Sequence, residues 1–165
     1  MISPKDVIAD QLQRSAYLFQ TFTQDFTDAE YFLPAVAGSN HAAWILGHIA
    51  CAEDWGRWLL TGSAKQINES PHALFKGGST CVADAAKYPS RLAVDALFQE
   101  SRARLVEALG TFDPGRWEEP TPEHGPRKQF ATLGALWALM GFHPFWHIGQ
   151  LTTCRVALKK KAMLS

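Results

Sequence analysis

An excess of charge, a cysteine framework and long apolar runs are all missing from this 165-residue chain. Its 16 lysines and arginines stand against 16 aspartates and glutamates, for a formal net charge of zero. The basic footprint of a nucleic-acid-binding protein is therefore lacking. The cysteines are few, odd in number and far apart in sequence (Cys51, Cys81 and Cys154). That excludes a disulfide scaffold and points to a reducing, cytoplasmic compartment. No apolar run approaches the roughly 20 residues of a membrane span. The opening Met1-Ile-Ser-Pro-Lys-Asp6 lacks the charged start and apolar segment of an export signal, so none is expected. Long alternations of β-branched residues are absent too, which leaves little room for strands.

What remains is an ordinary globular composition, 47% hydrophobic and 19% charged. The length suits a single domain over 1–165 with a full core. Four amphipathic segments predict an all-α fold, a four-helix bundle with a long crossover between the second and third helices. The first helix should run from about Pro4 to Phe26, with Ser3 as its N-cap and Pro4 in the favoured first position. The second should span Asn40 to Thr61, capped by Ser39 or Asn40 and stopped by Gly62. The third should run from Arg91, behind Ser90, to Leu109 before Gly110, and the fourth from Leu133, behind Thr132, to Lys160. Between the second and third lies a long segment punctuated by Pro71, Gly77-Gly78 and Pro89, with room for a short helix around Cys81–Lys87. So long a link is unusual in a compact bundle and suggests a crossover or lid. The run Lys159-Lys160-Lys161 falls where cations favour a helix C-terminus.

Chemistry concentrates in the fourth segment, His143-Pro-Phe-Trp-His147-Ile-Gly-Gln150. Residues at i and i+4 of a helix lie one above the other, so both imidazoles can offer a nitrogen to one divalent ion. A third histidine, His48, sits on the inner stripe His41, Trp44, His48, Cys51, Trp55 of the second helix. A lone histidine on such a stripe is more often a hydrogen-bonded core residue. Three in one small core need a reason, because each ring has two nitrogens wanting partners. Convergence on one cation would satisfy three of them. His41 stands two turns before His48, about 10 Å along the axis, too far to share the ion and expected to be exposed near the cap. His72 and His124 are expected in solvated loops. Cys51 and Cys154 read as small hydrophobes. Pro144 should bend the last helix, since it removes one ladder bond and frees the carbonyl of Met140. Trp117 and Phe142 find no inner position in a four-helix core, and apolar surface left outside a core favours a homodimer.

The pattern Asn40-His-Ala-Ala-Trp-Ile-Leu-Gly-His48-Ile-Ala, followed much later by His143-x-x-x-His147-Ile-Gly-Gln150-Leu, resembles the DinB-like superfamily. The order of elements resembles it as well, over nearly the whole chain. The resemblance implies a four-helix bundle holding a divalent metal, most often zinc or nickel, with His48, His143 and His147 as ligands. It also implies a thiol-dependent S-transferase or isomerase acting on a small-molecule electrophile with a low-molecular-weight thiol. Pro144 between the paired ligands departs from a smooth family helix.

Three protein ligands leave a coordination position open, the mark of a catalytic site. A thiol there becomes a thiolate more easily. Arg155 and the charged residues of the 113–130 loop are candidate contacts for such a thiol. A metal-dependent hydrolase is the second reading, and it needs a loop acid such as Glu118, Glu119 or Glu123, because Glu53 and Asp54 point away from His48. The third reading is a non-enzymatic, stress-responsive bundle stabilised by its ion.

Overall fold

The computed structural model describes residues 2–161; Met1 and 162–165, the outermost residues of the expected domain, lie outside them. Five α-helices and no strands occur among the described residues: α1 (Pro4–Thr23), α2 (Ala42–Thr61), α3 (Glu69–Phe75), α4 (Arg91–Thr111) and α5 (Leu133–Ala157). The four long helices form the bundle. α2 packs mainly on α4 and α5, and α1 mainly on α5 and α4. The fifth helix, α3, belongs to the crossover and lies against α2. A short helix was expected further along, around Cys81–Lys87, where the chain makes only a 3-10 turn at Ala85–Lys87.

Local signals place most helix ends. Ser3 and Asp6 form a reciprocal capping box at α1, the Ser3 hydroxyl accepting from the Asp6 amide and the Asp6 carboxylate accepting from the Ser3 amide. Ser90 and Thr132 cap α4 and α5 through their hydroxyls. Gly62 ends α2 at a φ of 76°, a left-handed turn that glycine adopts without strain. The start of α2 departs from expectation. Its cap is neither Ser39 nor Asn40 but His41, whose Nδ1 accepts from the Trp44 amide at 3.0 Å. The His41 ring is fully buried between Phe32 and Tyr88, and its Nε2–H donates to the Val82 carbonyl at 3.2 Å. α1 stops at Thr23, short of Phe26, and α4 continues through Gly110 to Thr111. α5 ends at Ala157, so the lysine run follows the helix, and Lys160 reaches the Glu30 carboxylate at 2.9 Å. α5 itself runs unbroken through the buried Pro144.

The interior divides into two apolar clusters. One holds Phe19, Phe22, Trp44, Ile49, Phe98, Ile148 and Leu151; the other holds Ile8, Leu12, Leu59, Leu105, Leu109, Leu136, Trp137 and Met140. Each long helix contributes to both, and polar residues occupy the turn between. On α1 that residue is Ser15, on α2 Glu53, and on α4 Ser101 and Arg102, all buried. Arg102 ties Ser15 and Glu53 together. Its Nε donates to both Glu53 oxygens, at 2.9 and 3.1 Å, and its Nη1 to the Ser15 hydroxyl and the Leu12 carbonyl. A buried carboxylate this well satisfied is tolerable where an unpaired one is not. On α5 the same middle layer carries His143 and His147.

Candidate metal centre

Two helices and the crossover build the site. α2 presents His48, whose ring stacks on Trp44 one turn earlier (centroids 4.8 Å apart, planes within 9°). α5 presents His143 and His147, with Nε2 atoms 3.1 Å apart. One nitrogen from each of the three rings falls within 4.8 Å of the others. His147 is buried, and His48 and His143 are half-buried, so the cluster lies at the edge of the core with one side open.

The outer nitrogens fix the tautomers. His48 Nδ1–H donates to the Phe75 carbonyl at 2.8 Å, since a carbonyl can only accept. His147 Nδ1–H donates to Gln150 Oε1 at 3.1 Å, and Asn40 Nδ2–H donates to the same oxygen at 3.2 Å. Both rings therefore carry their proton on Nδ1 and turn an Nε2 lone pair toward the cluster. Such outer hydrogen bonds are the usual support of metal-ligating histidines. Burial pushes all three imidazoles toward the neutral form. His143 falls to about 3, through burial first and then through His147 and His48. His147 falls to about 4, through burial and His48, against a small opposing pull from Gln150. His48 is lowered by burial, against its bond to Phe75. Three neutral imidazoles with clustered ring nitrogens, two of them anchored from outside, are a donor set that fits a divalent ion of the zinc or nickel kind.

Close packing holds the frame. A Cβ at Gly47 would stand 2.5 Å from the ring of the fully buried Phe75, so glycine there lets α3 approach α2 closely enough for the Phe75 carbonyl to reach His48.

The open side of the cluster faces a cavity of about 660 Å³. His48 and His143 line it together with Cys51, Trp55, Leu139, Met140, Phe130 and Trp146, and with Lys65, His72, Lys76 and Gln129. No carboxylate is among the lining residues. The Cys51 thiol is pushed up to about 12, by burial first and then by Asp54, which keeps it a packing group.

The other candidates sort differently from the sequence expectation. Arg155 is no substrate contact. It is buried, and it spans Asp25 (2.6 Å) and the Phe22 carbonyl (2.7 Å). The loop acids do not line the cavity: Glu119 pairs with Arg116 at 2.8 Å, Glu123 faces Arg127 at 3.7 Å, and Glu118 is exposed elsewhere. Glu53 and Asp54 turn away from the histidines as expected, but both are buried. Asp54 accepts from the Gln66 and Ile67 amides and from Arg57, pinning the start of the crossover to α2. His72 is not in a loop; it lies half-buried on α3 and lines the cavity. His124 is exposed and packs against Trp58. Trp117 does find a place, edge-on to Phe112, and Phe142 lies half-buried against Phe130 and Trp146. Sequence reasoning missed Phe75 and Lys76, since nothing in a seven-residue helix interrupted by Pro71 marks it as a wall of the site.

No curated protein matches this chain. Among solved structures it is similar to YfiT from Bacillus subtilis, described as a probable metal-dependent hydrolase with an unusual four-helix-bundle topology. The match has a TM-score of 0.67 at 19% identity and covers 98% of this chain and 92% of the other, which establishes a shared fold. The DinB superfamily profile matches residues 11–151, a span that contains all three clustered histidines. The chain belongs to the DinB superfamily.

Proposed function

We propose that His48, His143 and His147 hold a divalent zinc or nickel ion, and that the protein is a thiol-dependent S-transferase or isomerase for small electrophiles. The observation that carries this reading is the cavity itself: it opens onto His48 and His143 of the histidine cluster and has no carboxylate in its lining. A divalent ion lowers the pKa of a thiol in its open position toward the physiological range. A nucleophile activated in that way needs no carboxylate base beside it. Phe75 and Gln150 hold the tautomers that keep both Nε2 lone pairs available. Trp55, Leu139 and Met140 supply an apolar wall that limits water at the reacting centre.

Two observations favour hydrolysis as the second reading. His72 lines the same cavity and could take a proton from water, and a protein of the same fold is described as a hydrolase. The test is a screen of reactive electrophiles with and without low-molecular-weight thiols. Transferase activity should require both metal and thiol, vanish with chelator, and return with zinc or nickel. His48→Ala should behave as the chelated protein, and Cys51→Ala should keep its activity. Metal-dependent turnover that needs no thiol would reject thiol transfer in favour of hydrolysis. We further propose a homodimer formed through the groove where the exposed Val7 lies beside Trp117 and Phe142; a monomeric mass by light scattering at micromolar concentration would refute it.

A further inference from the structure

Arginines and lysines are used differently in this protein. All eight arginines (14, 57, 91, 102, 104, 116, 127 and 155) stand within 4.0 Å of a carboxylate. Lys65 and Lys76, the two cations on the cavity wall, have no carboxylate partner among the described residues. Neither lysine rides on a loose segment. Lys65 precedes Gln66 and Ile67, whose amides bind the buried Asp54 carboxylate at 2.9 and 3.0 Å. Its ammonium lies over the Trp58 ring, 4.4 Å from the centroid. Lys76 caps the end of α3, its amide donating to the His72 carbonyl at 2.9 Å. It follows Phe75, whose carbonyl orients His48, and precedes Gly77, where a Cβ would stand 3.8 Å from the His48 ring. Two cations without a carboxylate partner, each on an anchored stretch of backbone, thus flank a cavity with no acidic residue.

The remaining wall is apolar and aromatic, with Trp55, Phe130 and Trp146 around the opening. Trp146 is 62% exposed, a large apolar face left uncovered at the mouth. The volume, about 660 Å³, is in the range that encloses a small organic molecule. A neutral metabolite would gain no charge attraction from the lysines, and a cation would meet them as like charges.

We propose that this cavity takes a small organic anion with an aromatic-sized apolar body, its carboxylate, sulfonate or phosphate drawn to Lys65 and Lys76 and its body against Trp55, Phe130 and Trp146. The proposal rests on the functional reading above for the role of the cavity, and it narrows the electrophile or thiol to an anionic one. Its test needs no metal and no turnover. Metal-free protein, prepared with chelator, is titrated with the fluorescent probe 8-anilinonaphthalene-1-sulfonate and, separately, with N-phenyl-1-naphthylamine, the same rings without the sulfonate.

Lys65→Gln/Lys76→Gln changes only exposed side chains and should fold as the parent does. It should bind the sulfonate about tenfold more weakly at low salt, the effect of losing two solvent-accessible charge pairs, and bind the neutral amine unchanged. Raising the salt should erode the parent's preference for the sulfonate and leave the amine unaffected. Trp146→Ala should weaken both probes. Equal sulfonate affinity in the parent and the lysine variant overturns the proposal. So does retention of both affinities in Trp146→Ala, which would put the apolar anion outside this cavity. Zinc content of the lysine variant separates the two readings. A variant that keeps its zinc but loses its preference for the sulfonate supports the anion site; a parent that binds no zinc yet shows that preference would sink the metal reading alone.

Discussion

Replacing Gly47 with alanine should damage the metal site without touching a ligand. The added methyl would meet three atoms of the Phe75 ring at 2.5 to 2.6 Å, well inside van der Waals contact. Phe75 is fully buried, so its ring can yield only by moving α3 or by pushing into the surrounding cluster. Overpacking of that kind costs about 1–3 kcal/mol. Exchanging glycine for alanine inside a helix returns up to about 1 kcal/mol. The net loss should be about 1 kcal/mol, with an upper end near 2. The larger consequence falls on His48. Its Nδ1–H bonds to the backbone carbonyl of the same Phe75, so a displaced Phe75 weakens the contact that sets the ring's tautomer and direction. Loss of such outer support lowers metal affinity by about 10- to 100-fold in comparable sites. Urea unfolding of the metal-free protein measures the first quantity, and competition with a chromophoric zinc chelator measures the second. A variant that is about 1 kcal/mol more stable than the parent, with unchanged zinc affinity, would show that Phe75 has room to spare and refute the reasoning.

Three further outcomes are expected. His147→Ala should lose stoichiometric metal while keeping its helical circular dichroism, because two imidazoles are too few for a tight site; full metal retention by elemental analysis would reject the triad. Glu53→Ala leaves the Arg102 charge buried without its partner and should cost about 3–5 kcal/mol in urea unfolding, while Glu53→Leu/Arg102→Leu should recover most of that loss. The His41 ring, lowered to about 4 chiefly by burial, is neutral in the fold while the unfolded chain takes up its proton near 6.5. Its contribution is thus complete above about pH 6.5, falls as the pH drops to about 4 and is flat below. Chelator-treated His41→Asn, which keeps a capping oxygen, should therefore lose less stability across that window than the parent, by a difference of up to about 3 kcal/mol.

Features carried by short-range chemistry were legible in the sequence. Ser3, Ser90 and Thr132 cap the helices they were expected to cap, because an N-cap is decided within three residues. The histidine pair on α5 was legible for the same reason, since i and i+4 fix its geometry wherever the helix goes. What escaped depends on partners distant in the chain. The role of Arg155 follows from Asp25, and that of Arg102 from Glu53 and Ser15, and no local pattern announces either. His41 was misjudged because Ser39 and Asn40 are better caps on propensity alone. The fold buries His41 instead, with Phe32, Tyr88 and the Val82 carbonyl around it. Helix α3 was missed because seven residues with an internal proline give too little periodicity to register. Its contribution to the site is a backbone carbonyl, which no side chain encodes.

The division of the interior into two apolar clusters bears on how the protein comes apart. Hydrophobic contact alone does not run continuously from one end of the bundle to the other; it is interrupted by a belt of Ser15, Glu53, Ser101 and Arg102 at the level of the histidine turn of α5. Pro144 sits in that turn and withholds one amide from the backbone ladder. Each end of the molecule therefore has its own reservoir of buried area, and between them the belt offers directed bonds in place of apolar contact. An ion clasped by α2 and α5 at that level would couple two foldons. Amide exchange of the metal-free protein should resolve two protection classes, the ends carrying Phe19 and Trp137, and loading with zinc should merge them into one.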